Sequence, residues 1–287
     1  MSNSSAARTN LSSQDVQISN RKLGEGTFRI CHEGTYVGGN RNSQDAACKR
    51  FKPQWRAMEM EYFASDFRIA DFAISHAETW NSFSSDDESI LITKGSIIRS
   101  NSGIPYLAEP VIRNFKKFTS NSGWIEDSGC WTTDSMAAFS HFTYHDSGGR
   151  HMVCDLQGCY RDNRRFRRGK SRFELTDVAI CSRARSFGPT DLGEKGIESF
   201  FANHVCNQDC KSHWSKPSYS RRWFPSNSSA TSMFSSRDSH KLQSSNRTQF
   251  RLGGMGNIIE EELDDEDSDN NHYYRHACYE SSSSSSY

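Results

Sequence analysis

The sequence predicts an α+β fold. Two observations carry that prediction. Stretches with two-residue alternation are interleaved with stretches of three- and four-residue apolar spacing, without a regular strand–helix–strand repeat. No internal period of about 20–50 residues, the signature of a solenoid or propeller, is present.

Three composition zones run along the 287 residues. Residues 1–18 are polar and rich in Ser and Asn, so a flexible arm is expected there. Residues 19–216 hold nearly all the aliphatic and aromatic patterning and are expected to form the folded domain. Residues 217–287 turn Ser-rich, then acidic, and end in SSSSSSY, the composition of a disordered or regulatory tail.

Within the domain, RKLGEGTFRICHEGTY reads as strand, glycine turn, strand. DAACKRFK reads as a buried strand bearing one Lys. The segment from Met60 to Phe83 is an amphipathic helix, with Phe63, Phe67, Ala70, Ile74 and Ala77 on one stripe. ESILITKGSIIRS and IPYLAEPVI read as strands, and SMAAFSHFTYH as a short helix running into a strand. A turn at Ser147-Gly148-Gly149 leads into the strand RHMVCDLQG, and GIESFFANHVC is a helix.

Composition excludes some classes. Hydrophobic residues make up 34% and charged residues 24%, and mean hydropathy is -0.79. The formal net charge is +0, which gives no global attraction to nucleic acid or membrane. No apolar run approaches the roughly 18–20 residues of a membrane span, and the opening residues lack the apolar core of a signal peptide. A soluble, cytoplasmic protein is expected. With 9 Cys, an odd number, and no export signal, clustered Cys and His read as metal ligands before disulfides.

Four constellations carry chemistry. His204, Cys206 and Cys210 fall within seven residues, spacing that brings N and S ligands to one tetrahedral zinc. His141 is the candidate fourth ligand, with His272 and Cys278 as weaker competitors. Four filled positions would make the zinc structural. The blander reading is two buried thiols beside a chance His.

Next, Gly24 and Gly26 in LGEGTFR precede Lys49 on the following strand. Glycines let backbone N–H groups approach phosphate, and Lys49 would reach it as a point charge. A plain hairpin is the alternative. The catalytic-loop and Asp-Phe-Gly motifs of ordinary protein kinases are absent, which argues against a conventional kinase.

Third, Asp155 and Gln157 lie at i and i+2 of a strand end. They are expected to share a face and offer oxygens to Mg²⁺, with Asp177 as a further ligand. A solvated strand end is the alternative. Last, FGPTDLG, holding Gly188, Thr190, Asp191 and Gly193, either cradles phosphate, positions a peptide, or caps the following helix.

Taken in order, LGEGTFR, ACKRF, YLAEP, KKFTSNSGW, AFSHFTY, VCDLQG, LTD, FGPTDLG and GIESFFANHVCNQDC resemble the alpha-kinase family over about residues 20–215. That family includes elongation factor 2 kinase, myosin heavy chain kinases and channel-linked kinases. The resemblance implies an atypical serine/threonine protein kinase with a two-lobed fold and a structural zinc in the C-terminal lobe. Lys49 and Arg29 then fall on the ATP-phosphate residues, and Glu109 on the carboxylate facing adenine. Lys117 and Asn121 would line the nucleotide cleft. Asp155 matches the catalytic Asp, Gln157 and Asp177 the Mg²⁺ ligands, and His141, His204, Cys206 and Cys210 the zinc ligands. The loop Gly188–Gly193 would lie near the peptide substrate. ATP, Mg²⁺ and Zn²⁺ are the implied cofactors and a Ser/Thr-bearing protein the partner, with no membrane or nucleic acid.

The chain departs from the family pattern in four places. A basic stretch, RDNRRFRRGKSRFE, separates Gln157 from Asp177. Val178 replaces a Pro. Phe72 stands where some members hold a Glu that pairs with the Lys; the neighbouring Asp71 would point about 100° away. The Glu109 to Lys117 interval is one residue short. These departures favour one alternative, a catalytically impaired pseudokinase acting as a protein-binding module.

Overall fold

A computed structural model describes residues 5–225 and 228, apart from 27, 84–87, 101, 128 and 164–170. The Ser-rich and acidic tail from residue 229, with His272 and Cys278, and residues 164–170 of the basic stretch lie outside the described residues.

Two five-stranded sheets form two lobes. The first contains β2 (Asp15–Glu25), β3 (Arg29–Val37), β4 (Asp45–Phe51), β6 (Ser96–Arg99) and β7 (Pro105–Pro110), in the order β2-β3-β4-β7-β6. Every neighbour in it is antiparallel. The second contains β1 (Ala7–Thr9), β5 (Glu88–Lys94), β8 (Lys116–Lys117), β10 (Gln157–Arg161) and β11 (Ser171–Leu175), in the order β1-β5-β11-β10-β8. A two-stranded sheet pairs β9 (His151–Cys154) with β12 (Ala179–Ser182).

Among the described residues, three α-helices pack on these sheets. α1 (Glu59–Phe83) spans both lobes. Tyr62 and Phe63 at one end join Phe51, Trp55 and Leu107 of the first lobe. Ile69, Ala73, Ile74 and Ala77 join the main core with Ile90, Phe118, Phe139 and Phe173. α2 (Trp131–Asp146) is buried on almost every side from Thr133 to Tyr144. α3 (Glu194–Asn203) buries Ile197, Phe200 and Phe201 against Met152 and Leu192.

Several sequence expectations need correction. Residues 5–18 are not a loose arm. Ala6 is fully buried, β1 runs parallel to β5, and β2 begins at Asp15. Polar composition misled because side-chain hydrogen bonds from Arg8, Asn10 and Ser13 supplement the small apolar burial of Ala6. Likewise the domain continues past 216, since Phe224 is buried in the α3 core. SMAAFSHFTYH is helix throughout, which places His141 mid-helix. ESILITKGSIIRS divides between the two sheets at Gly95, where an added Cβ would lie 2.6 Å from the Ala108 carbonyl oxygen.

RHMVCDLQG is also two strands. β9 ends at Cys154, and Asp155 turns the chain through a left-handed backbone (φ 56°) into β10 of another sheet. The i, i+2 argument for Asp155 and Gln157 therefore fails. β11 repeats the manoeuvre beside it: Asp177 (φ 52°) turns the chain out of β11 into β12. Thr176 N donates to Gln157 O at 3.0 Å, so the two sheet changes are bonded to each other. Asp is among the few residues that tolerate this backbone.

Candidate active site and metal centre

The two sheet changes bring two carboxylates to the mouth of the inter-lobe cleft. Strand register supplies the rest. Gln157 pairs with Lys117 across β10 and β8, which sets Lys117 Nζ 2.9 Å from Asp155 Oδ1. Gln157 Nε2 donates to Asp155 Oδ2 at 3.4 Å and to Asp177 O at 3.2 Å. The Gln157 amide thus bridges the two aspartates, although by a route different from strand alternation.

From the first lobe, Lys49 enters on β4. Its Nζ lies 2.6 Å from Glu109 Oε2 and 2.6 Å from both Asp177 carboxylate oxygens. The β4–β7 register pairs Ala47 with Glu109, two residues from Lys49, so both side chains leave the sheet on one face. Thr176 Oγ1 donates to Glu109 Oε2 at 2.6 Å. Glu109 is therefore the carboxylate partner that the sequence reading sought on α1. Phe72 instead packs edge-on against His151 and Phe187, and Asp71 pairs with Lys94.

Gly24 sits at the end of β2, and Gly26 N donates to Arg29 O at 2.9 Å, closing a tight turn. Neither glycine needs a left-handed backbone, and a Cβ at either would meet nothing within 4 Å. Within this chain alone nothing demands glycine at either site. Arg29 opens β3, stacks over Phe51 at 4.5 Å and bonds Asp66 Oδ2 at 2.5 Å.

Sequence reasoning missed Asp66. It sits on α1 between Phe63 and Ile69, on the apolar stripe, and a charge in that position was the available signal. Asp66, Asp155 and Asp177, with Arg29, Phe187 and Thr190, line a cleft of ≈ 190 Å³.

The charges are strongly perturbed. Burial pushes the Asp66 carboxyl up to about 6 despite Arg29. Burial also raises Asp155, and Lys117 offsets part of that shift. For Lys49, burial alone would lower the pKa, but Asp177 and Glu109 outweigh it and raise the ammonium above its ordinary value. Asp177 sits in surroundings that oppose its charge, yet Lys49 holds its carboxyl below the usual value.

Asn121 lies beneath this surface and not on it. Its side chain is fully buried and donates to Thr190 O at 2.9 Å. Asp191 is also fully buried. Its carboxylate accepts from the backbone N–H of Ser182, Phe187 and Gly193 and from Ser182 Oγ. It does not cap α3, whose N-terminal residue is preceded by Gly193 in a left-handed conformation (φ 71°). Asp191 thereby shapes the loop, and a Cβ added at Gly188 would lie 3.8 Å from Ser65 Cβ of α1.

The second constellation draws on α2 and the chain after α3, and none of its residues lines the cleft. His141 Nδ1 or Nε2, a His204 nitrogen, and Cys206 and Cys210 Sγ all lie within 4.8 Å of one another. Cys206 Sγ is 3.5 Å from His141 Nδ1, and Cys210 Sγ is 3.5 Å from His204 Nε2. A tetrahedral zinc with its usual bond lengths has S···N edges of about 3.5 Å, so the donor set fits that ion. His141 Nε2 donates to Ser215 O at 3.2 Å, which leaves Nδ1 as the free lone pair facing Cys206. Burial lowers both imidazoles to about 4, keeping them neutral.

Among the described residues, no helix is long and apolar enough to cross a membrane.

Comparison with known proteins follows this geometry. Alpha-protein kinase vwkA of Dictyostelium discoideum is 29% identical over 187 residues, covering 63% of this chain and 26% of that protein. The chain thus spans about a quarter of that relative's length. A solved alpha kinase from Entamoeba histolytica shares the fold, with TM-score 0.59 at 22% identity over 72% of this chain and 81% of that one. An inactive alpha-kinase domain of myosin-II heavy chain kinase A, complexed with ATP, has TM-score 0.54 at 21% identity, covering 68% of this chain and 87% of its own. The alpha-kinase family model matches residues 24–210, which take in both constellations, and this chain belongs to the alpha-kinase family.

Proposed function

We propose that the chain is an atypical protein kinase that transfers the γ-phosphate of ATP to Ser or Thr of a protein substrate. One observation carries the reading. Lys49 is held at 2.6 Å by Glu109 and Asp177, and Lys117 lies 2.9 Å from Asp155, at a cleft that Asp155, Asp177 and Arg29 line together. Family membership and the ATP complex of a similarly folded domain support it.

The chemistry asks for charge neutralisation and positioning rather than a covalent intermediate. Lys49 and Arg29 would bind phosphate oxygens, and the Gly24–Gly26 backbone would approach them closely. Mg²⁺, when bound, would neutralise phosphate charge; the side-chain oxygens of Asp155, Asp177 and Gln157 form the hard donor set it prefers. Asp155 would orient the acceptor hydroxyl and take its proton as that oxygen attacks the γ-phosphorus and the bond to ADP breaks. Lys117, 2.9 Å away, favours the charged form of Asp155 and offsets part of the rise that burial causes. The loop around Gly188 and Thr190 would seat the peptide.

His141, His204, Cys206 and Cys210 are assigned to one structural zinc. The pseudokinase reading rested on Phe72 and Val178. Glu109 supplies the partner that Phe72 lacks, and Val178 is buried in the main core. The second observation gives Val178 a packing role; the first favours the enzyme. Lys49→Met tests it: ATP-dependent labelling of a Ser/Thr peptide library should fall at least about 100-fold, the scale of losing one preorganised charge in a phosphate site. Equal labelling by the variant would remove Lys49 from the mechanism.

A further inference from the structure

Residues 5–14 cross from one lobe to the other. β1 belongs to the second sheet through its pairing of Arg8 with Thr93, and β2 opens the edge of the first sheet. Between them, the segment grips the strand that carries Glu109. Asn10 is buried and fully engaged: Nδ2 donates to Ala108 O at 3.0 Å and Ser96 Oγ at 2.6 Å, and Oδ1 accepts from Tyr36 Oη at 2.6 Å. The Arg8 guanidinium donates to Pro110 O at 2.8 Å and Val111 O at 3.0 Å. Its other edge pairs with Glu174 of the second sheet at 3.4 Å.

The carbonyls of residues 108, 110 and 111 are thus held by side chains from about a hundred residues earlier. They bracket Glu109, whose carboxylate fixes Lys49. The far end of the segment is tied as well. Ser13 Oγ donates to Gly38 O at 2.7 Å, and Arg41 Nε donates to Thr9 O at 2.8 Å.

We infer that this segment is a brace that fixes the strand between the lobes, and that Arg8 and Asn10 are positioning residues acting through Glu109 on Lys49. The inference rests on the kinase reading of the same cleft. Removing either side chain frees carbonyls at the point where the chain passes from β7 to the second lobe. Glu109 then samples positions in which it does not hold Lys49, and nucleotide binding weakens while the proton-transfer residues stay in place.

The test compares wild type, Asn10→Ala, Arg8→Ala and Arg8→Lys as full chains. Hydrogen exchange at amides 107–111 without nucleotide is the first readout, and KM for ATP against kcat is the second. The expected result is exchange about tenfold faster in that stretch and KM about tenfold higher, the scale of one or two lost hydrogen bonds. The kcat should change less than about threefold, as for a residue that acts on binding. Arg8→Lys should recover little, because an ammonium cannot span two carbonyls and a carboxylate. Unchanged exchange and KM in both alanine variants would overturn the brace, as would faster exchange spread evenly over the chain. If the wild type transfers no phosphate, the kinase reading fails, and the exchange readout still decides the brace.

Discussion

Asp155 and Asp177 combine chemistry with a backbone that few residues accept. Both sit at φ values near the left-handed region, where most side chains cost roughly 1–2 kcal/mol and Asp or Asn costs less. Asp155→Asn therefore retains the turn while removing the proton acceptor, and is a cleaner probe than an alanine. Asp66 makes a prediction about pH. Its carboxyl is raised from 3.8 to about 6 by burial, so the folded state binds that proton more tightly than the unfolded chain. The resulting penalty is absent below the unfolded value and complete above about 6. Asp66→Asn should therefore gain melting temperature relative to wild type as pH rises from 5 to 7.5. A difference that stays constant across that range would show that Asp66 is not perturbed. The same variant loses the ion pair with Arg29, so its transfer rate should fall and should lack an inflection near pH 6.

Glycines differ in purpose from one element to the next, and the difference is measurable. Gly158 in β10 faces β11 so closely that a Cβ would lie 1.9 Å from Glu174 O. Gly158→Ala should cost more than about 3 kcal/mol in urea unfolding, the range for forced overpacking against backbone. Gly26→Ala meets open space, so its stability should stay within about 0.5 kcal/mol of wild type while ATP binding weakens. Equal stability costs at the two positions would contradict the assignment of one to packing and the other to phosphate approach. The sequence revealed these elements unevenly. Long periodic stretches such as α1 were legible because burial of Phe63, Ala70, Ile74 and Ala77 follows helical spacing directly. The break at Asp155 was not, because a strand that changes sheets keeps its apolar composition and only its pairing partners differ. The carboxylate partner of Lys49 was sought on a helix because local motif order says nothing about which neighbouring strand faces it.

At the scale of the whole molecule, the His/Cys cluster joins two distant pieces of chain. His141 lies inside α2, His204 ends α3, and Cys206 and Cys210 sit in the loop beyond it. Spacing alone singled out three of these four side chains. The fourth was legible only as a candidate, since nothing in the sequence brings residue 141 beside 206. The purified chain should contain one zinc per molecule. Because a structural zinc contributes folding energy outright, chelation or Cys206→Ser with Cys210→Ser should lower the melting temperature by roughly 10 °C or more. Native-like melting of a zinc-free chain would rule out the structural role. The lobes, the cleft between them and the brace of residues 5–14 converge on one central claim, that Lys49 and Asp155 work together in phosphoryl transfer. The most direct measurement is γ-phosphate transfer from labelled ATP to a Ser/Thr peptide library, alongside ATP affinity, for wild type and Asp155→Asn. The account predicts Mg²⁺-dependent transfer by the wild type and at least about a 100-fold loss in the variant, with ATP affinity within a few-fold. Equal transfer by both proteins, or a wild type that binds ATP yet transfers nothing, would contradict it.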